Sequence, residues 1–435
     1  MQLGQKCGNI GQKSAIRQYE KLSDLSLVFD PHKTLELTLK SDMSRKIRVR
    51  KVMDEVRLVI GLNEFILVGV SLAFSGFFVF LARHLPRLCG VTTNLRAVQA
   101  MHSLPVPRVG GAAIFAALVL SSFFSPLSIS SEYSQFILAS SLLFVVGLAE
   151  DLGFGISPRN RLLAAVAASI AVMWLLGVWM PRVDIPGIDS LLSYWAIGVP
   201  VTLLITVGIT NGFNLIDGVN GLASITAIVA AVTLGLIADQ GGHTALVHLA
   251  TMLSACIFGF FLLNYPFGLI FLGDAGAYIL GFVLSWFGIS ILLVVPDASP
   301  WAILLTLFWP VADTVLAIFR RARRKTAAMK PDRLHVHQMV MRALEICFLG
   351  RKRRRLANPL STLILAPFVI APPIAGVIFW DQTNMAFMAV MVFVALFFSS
   401  YAIVPHLIRR FRRCAYPIDL SGKPAALMTV TDDAL

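Results

Sequence analysis

Apolar residues along this chain gather into eleven runs, separated by short polar stretches. The runs cover residues 58–82, 109–128, 133–149, 162–180, 191–210, 219–238, 246–263, 276–295, 300–319, 359–380 and 385–407. A helix rises about 1.5 Å per residue, so roughly twenty apolar residues cross a hydrocarbon core ~30 Å thick. Inside that core every backbone N–H and C=O needs an internal partner, which a helix supplies from its own turns. The pattern predicts an all-α, polytopic bundle of about eleven transmembrane helices. Its least regular members are 133–149, which is short, and 191–210, which carries Pro200.

Composition removes the main alternative. Of 435 residues, 57% are hydrophobic and only 14% charged, with a mean hydropathy of +0.77. A soluble domain carries about 25% charged residues, so this chain has too little polar surface for a water-exposed globule. The net charge of +13 does not point to nucleic acid, because the basic residues alternate between loops. Segments 83–108, 150–161, 320–358 and 408–435 hold four, two, thirteen and five Lys and Arg. The intervening loops hold only Arg182, beside Glu132, Asp184, Asp189, Asp239, Asp297 and Asp381. By the positive-inside rule the basic loops are cytoplasmic, and the clusters at 320–324 and 351–355 hold topology and meet anionic headgroups of membrane lipids. The five cysteines form no CxxC and no metal-ligand spacing, so no disulfide framework is implied.

Charge also divides the chain into a basic extension at 1–57, a membrane domain at 58–407 and a cytoplasmic tail at 408–435. The extension holds twelve Lys and Arg, six of them in the fifteen residues before the first run. An odd number of spans with a cytoplasmic C-terminus puts that flank outside, against the rule. A start at Met53 leaves only Arg57 there and removes the conflict; an extension kept inside requires an even span count.

Polar groups at the ends of apolar runs carry the chemistry, since ionisable residues near hydrocarbon are costly and mark function. Glu150 and Asp151 are adjacent carboxylates, which persist best with a shared cation or proton; solvated acids at a helix end are the competing reading. Asn211, Asn214 and Asp217 recur every three residues, so a helical turn would put them on one face. Three such oxygens suit a hard cation such as Mg²⁺, whereas a capping Asn with an Asp-Gly bend explains only the end of the stretch. Asp274, in Phe271-Leu-Gly-Asp-Ala-Gly276, opens a run where it could also cap a helix. Asp332-Arg333-Leu-His335-Val-His337 follows the largest basic cluster, and its histidines can bind metal or donate to phosphate. All four clusters fall on the cytoplasmic side. Carboxylates for Mg²⁺, with Arg and His for anions, suit a nucleoside diphosphate and its phosphoryl chemistry.

These motifs, with His102-Ser-Leu-Pro-Val-Pro-Arg108-Val-Gly-Gly111 and Gly147-Leu-Ala-Glu-Asp151, occur in an order that resembles one family. It is the polyprenyl-phosphate N-acetylhexosamine-1-phosphate transferases, which include the undecaprenyl-phosphate GlcNAc-1-phosphate transferases and phospho-MurNAc-pentapeptide translocase. The resemblance covers about residues 60–345 and leans to the GlcNAc type. It implies an enzyme of the bacterial inner membrane, its active site cytoplasmic. The enzyme would move an N-acetylhexosamine-1-phosphate from a UDP-sugar to undecaprenyl phosphate, release UMP and so start a cell-surface polysaccharide. By the same resemblance Asn214 and Asp274 bind Mg²⁺, with Mn²⁺ an alternative, and Asp151 with Glu150 deprotonates or orients the lipid phosphate. Asp217 belongs to the nucleotide and metal shell, and Phe271 stacks on uracil. Arg108, Asn211, Asn220, Arg333, His335 and His337 complete the substrate contacts, and a homodimer is an expected assembly. Two departures bear on donor choice: Glu150-Asp151 replaces the family's Asp-Asp, and Asn220 replaces the second Asp of Asp-Gly-x-Asp-Gly. A secondary transporter is the competing class, but its polar site belongs at the midplane between repeated halves, and no internal repeat is present. An inactive scaffold is disfavoured by the retained Asp151, Asp217, Asp274 and His337.

Overall fold

The computed structural model describes residues 61–89, 106–324, 335–350 and 353–414. The extension at 1–57 with Met53, the segment around His102, and Asp332 and Arg333 lie outside the described residues. Within them the chain is helical, with no strand. The helices are α1 Leu62–Leu81, α2 Gly110–Ser121, α3 Ser130–Asp151, α4 Pro158–Leu176, α5 Ile188–Leu192, α6 Trp195–Ile216 and α7 Leu222–Gln240. They continue as α8 Thr244–Asn264, α9 Gly273–Val294, α10 Pro300–Thr306, α11 Phe308–Arg324, α12 Val336–Leu344, α13 Arg354–Ile378 and α14 Thr383–Cys414.

Each of the eleven predicted runs falls on helix, but they are not eleven full spans. Among the described residues nine helices are long and apolar enough to cross a membrane, and ten if α10 and α11, bent by 85°, count as one span. The run at 109–128 is the exception: α2 stops at Ser121, followed by a 3₁₀ turn over Ser122–Phe124. The polypeptide is a multi-pass membrane protein. Pro200 stays inside α6 and four prolines stay inside α13, as neighbouring helices allow in a bilayer.

Helix α9 is the axis of the bundle. It is buried along nearly its whole length and packs against α2, α3, α6 and α7. Between helices in lipid the drive to associate comes from close packing, which small residues permit. A Cβ on Gly111 would run into the Gly276 backbone, and one on Gly147 would lie 2.6 Å from the Ala275 Cα. A Cβ on Gly281 would lie 2.7 Å from the Thr210 Cα. At the C-terminal end of α9, Arg182 donates to the carbonyls of Pro296 and Ala298, each at 2.6 Å. A cation there complements the helix dipole. The N-terminal end of α9 is where the carboxylates collect.

Candidate active site

Two helix N-termini lie side by side, tied through their backbones. The N–H groups of Gly110 and Gly111 donate to the carbonyls of Phe271 and Leu272, at 2.9 and 2.8 Å, and Phe271 donates to Pro107 at 2.8 Å. The motif ending at Gly111 and the one starting at Phe271 thus form a single structure. Gly273 adopts φ +74°, and any side chain there would strike the Arg108 carbonyl and the Asp151 carboxylate. Only glycine meets both demands.

Asp151 closes α3 and reaches across to open α9. Its two carboxylate oxygens accept the backbone N–H groups of Asp274 and Ala275, at 2.8 and 2.9 Å. Free N–H groups at a helix start need such acceptors, and Asp151 is buried in the role, at 2% exposed. Glu150 is placed differently. Its Oε1 lies 4.0 Å from the Arg161 guanidinium, while Oε2 is buried without a hydrogen-bond partner.

Asp274 is bracketed by two guanidiniums, hydrogen-bonded to Arg161 and 3.7 Å from Arg108. Arg161 lies in α4, one turn after Pro158, in a helix start capped by the Ser157 hydroxyl. One turn beyond Asp274, the Tyr278 hydroxyl accepts from Asn214 Nδ2 at 3.1 Å.

The three-residue repeat is only partly helical. Asn211 and Asn214 sit in the last turns of α6, which ends at Ile216; Asp217, at φ −76° and ψ 61°, has left the helix. Asn211 donates to the Val207 carbonyl of its own helix at 2.8 Å. Asp217 is linked to the cluster through charge. Burial pushes its carboxyl up to about 7, Arg108 opposes this, and Asp274 adds to it. Asn220 is held at a joint between distant parts of the chain, with its Oδ1 buried and without a hydrogen-bond partner. Its N–H donates to Asn358 at 2.7 Å, its carbonyl accepts from Thr362 at 2.6 Å, and its Nδ2 donates to Pro266 at 3.4 Å. Phe271 is half-buried, its backbone held as above.

His335 and His337 lie against the same region. Their rings stack at 5.8 Å, 14° from parallel. The His337 Nε2 occupies the space where a Gly218 side chain would stand, directly beside Asp217. Both His337 nitrogens are buried without partners. Burial holds this imidazole down at about 4, against the pull of Asp313 and with the neighbouring His335 adding to the depression. His335 pairs with Asp313, its Nδ1 at 2.6 Å from the carboxylate.

Of the sequence-derived residues, the structure brings together Glu150, Asp151, Asp217, Asp274, Asn214, Arg108, His335 and His337. It turns Asn211 toward its own backbone, embeds Asn220 in a joint and leaves Arg333 outside the described residues. Sequence reasoning missed Asp313, Tyr278 and the direct pairing of Arg161 with Asp274. Asp313 carried a signal: it is ionisable and lies within the predicted span 300–319. The polar groups sit at helix termini, as a site at one interface requires, and not at mid-helix.

Among the described residues, no three His, Cys, Asp or Glu side chains gather closely enough to hold a metal by themselves. Magnesium does not require that: it takes one or two carboxylates and completes its shell with water and substrate phosphates. The hard oxygens of Asp274, Asp217 and Asn214 fit such a shared site.

A model of glycosyl transferase family 4 matches residues 133–292. The chain is 28% identical over 246 residues to a probable undecaprenyl-phosphate N-acetylglucosaminyl 1-phosphate transferase of Bacillus subtilis (strain 168), covering 56% of this chain and 68% of that protein. It is 28% identical over 308 residues to the undecaprenyl-phosphate alpha-N-acetylglucosaminyl 1-phosphate transferase of Salmonella typhi, covering 66% and 78%. With the decaprenyl-phosphate N-acetylglucosaminephosphotransferase of Mycolicibacterium smegmatis it shares 27% identity over 369 residues, covering 77% and 87%. The matched region runs from α3 through α9 and contains the carboxylates that meet at the start of α9, so the chain is similar to glycosyl transferase family 4 over the helices that build the site.

Proposed function

We propose that this protein transfers an N-acetylhexosamine-1-phosphate from a UDP-sugar to a polyprenyl phosphate, at a site on the cytoplasmic face of a bacterial inner membrane. The observation that carries the reading is the pairing of Asp274 with Arg108 and Arg161 at the N-terminus of α9, with Asp217 and Glu150 beside it. Guanidiniums and a helix N-terminus attract phosphate, and carboxylates provide for the divalent cation that accompanies a diphosphate. The names of the relatives support the polyprenyl-phosphate acceptor and the transferred sugar-1-phosphate, and the alternation of basic loops supports the cytoplasmic face.

In this reaction an oxygen of the polyprenyl phosphate attacks the phosphorus that carries the sugar. The bond from that phosphorus to the UMP oxygen breaks, and UMP leaves with the electron pair. Asp274 and Asp217, with the Asn214 amide oxygen, would hold Mg²⁺, which when bound neutralises diphosphate charge. Arg108 and Arg161 hold the phosphates once the anions draw them from Asp274. Asp151 fixes the start of α9 and hence the position of Asp274. Glu150, whose Oε2 has no partner, is the member of the acidic pair available to orient the lipid phosphate. His335 and His337 serve the donor, and Phe271 stacks on the uracil, as the family resemblance implies.

The test is transfer of radiolabelled sugar from several UDP-sugars into butanol-extractable lipid, by purified protein with added polyprenyl phosphate. Label should enter the lipid with Mg²⁺ and stop when EDTA is added. No label from any UDP-N-acetylhexosamine, with folded protein and acceptor present, would overturn the reading.

A further inference from the structure

We propose that Asp313 is a positioning residue for the donor histidines, acting through His335. The proposal rests on the transferase reading above and adds a residue from a helix outside the recognised motifs.

Asp313 lies in the second turn of α11 and is 1% exposed. A buried carboxylate is costly unless it is paired, and an apolar residue would fill the same volume without that cost. Its partner is specific. The His335 Nδ1 lies at 2.6 Å, and the Val336 N–H approaches the other oxygen at 3.5 Å. An ionised carboxylate only accepts hydrogen bonds, so the contact assigns the proton to Nδ1. Nε2 is then the ring atom left for a ligand. The same use of a carboxylate to set a catalytic imidazole's tautomer and aim is general.

The contact also locks the chain locally. His335 is the residue immediately before α12, so holding its ring fixes where that helix begins. His337, on the first turn, is carried with it, stacked on His335 and pressed on Gly218 next to Asp217. A continuous line of contacts thus runs from Asp313 through His335 and His337 to the turn that bears Asp217. The far end of that line is at the proposed donor phosphates.

The test uses the full chain in detergent or nanodiscs, with UDP-sugar and polyprenyl phosphate varied separately. Asp313→Asn, His335→Ala and the double variant are compared with wild type. Losing a charge-assisted contact that aims a substrate ligand should lower kcat/KM for the UDP-sugar by about ten- to a hundredfold, leaving KM for polyprenyl phosphate unchanged. In the His335→Ala background, Asp313→Asn should add less than about a twofold loss, because both act through one ring. Losses that multiply in the double variant, or equal effects on both substrates, would overturn the proposal. If Asp313→Asn does not accumulate as folded protein, His335→Asn decides. It can still donate to Asp313 from its amide nitrogen but lacks Nε2. It should fold and lose donor kcat/KM, and unchanged donor kinetics would refute the assignment. A wild type without transfer would overturn both the function and this proposal; an active wild type matched by Asp313→Asn would overturn this proposal alone.

Discussion

Replacing Asp151 by Asn removes one charge and turns one of two acceptor oxygens into a donor. In the structure those oxygens receive the N–H groups of Asp274 and Ala275 at 2.8 and 2.9 Å, in a setting that leaves Asp151 2% exposed. The asparagine can accept from only one of them. The other N–H is left facing an NH₂ group in that buried setting. An N-cap is worth about 1 kcal/mol and an orphaned buried donor about 1–3 kcal/mol, so the expected destabilisation is about 2–4 kcal/mol. Thermal unfolding of purified protein in detergent should register this as a drop of several degrees in Tm. Transfer should fall with it, because Asp274 rides on the helix start that Asp151 holds. Glu150→Gln separates the roles: it should leave Tm within a degree or two and still impair transfer. If Asp151→Asn melts like wild type while Glu150→Gln is destabilised, the capping assignment is wrong and the roles within the pair are reversed.

Three further outcomes follow from the same geometry. Asp274→Asn should insert and fold normally but lose more than about nine-tenths of transfer activity, since a carboxylate facing a diphosphate–metal centre contributes several kcal/mol; activity above that level would place the cation elsewhere. Gly111→Ala should cost about 1–3 kcal/mol by overpacking and lower Tm, because its Cβ meets the Gly276 backbone of the central helix; an unchanged Tm would mean that α2 and α9 do not cross there. His337 is held at about 4, below the ordinary 6.5 of histidine, so the folded state favours the neutral ring. Its contribution is whole above pH 6.5 and is lost as pH falls toward 4, by about 3 kcal/mol in all. Melting curves from pH 7.5 to 4.5 should show a steeper acid loss for wild type than for His337→Asn, and parallel curves would refute the burial of that ring.

Much of this was legible in the sequence, for a physical reason. A bilayer span needs a long apolar run, and the chain writes each one out without help from distant residues. The short α2 was the exception, because hydropathy continues past Ser121 while the helix does not. The carboxylates at helix ends were legible for the same reason, as polar residues interrupting apolar runs. What the sequence hid was pairing. Nothing local says that Asp151 caps α9, 123 residues away, or that Arg161 closes on Asp274. Nor does anything local say that Asn220, in its polar motif, joins distant parts of the chain through Asn358, Thr362 and Pro266. Asp313 was overlooked because it stands alone in an apolar helix, its partner His335 lying beyond the basic loop.

The nucleotide released during turnover tests the central claim most directly. Attack on the phosphorus that bears the sugar must leave UMP, one for each sugar-phosphate that enters the lipid. Attack at the sugar carbon would leave UDP. Chromatography of the aqueous phase, alongside label counted in the lipid phase, should find UMP and labelled lipid in equal amounts. UDP as the stoichiometric product, or labelled lipid without UMP, would contradict the account.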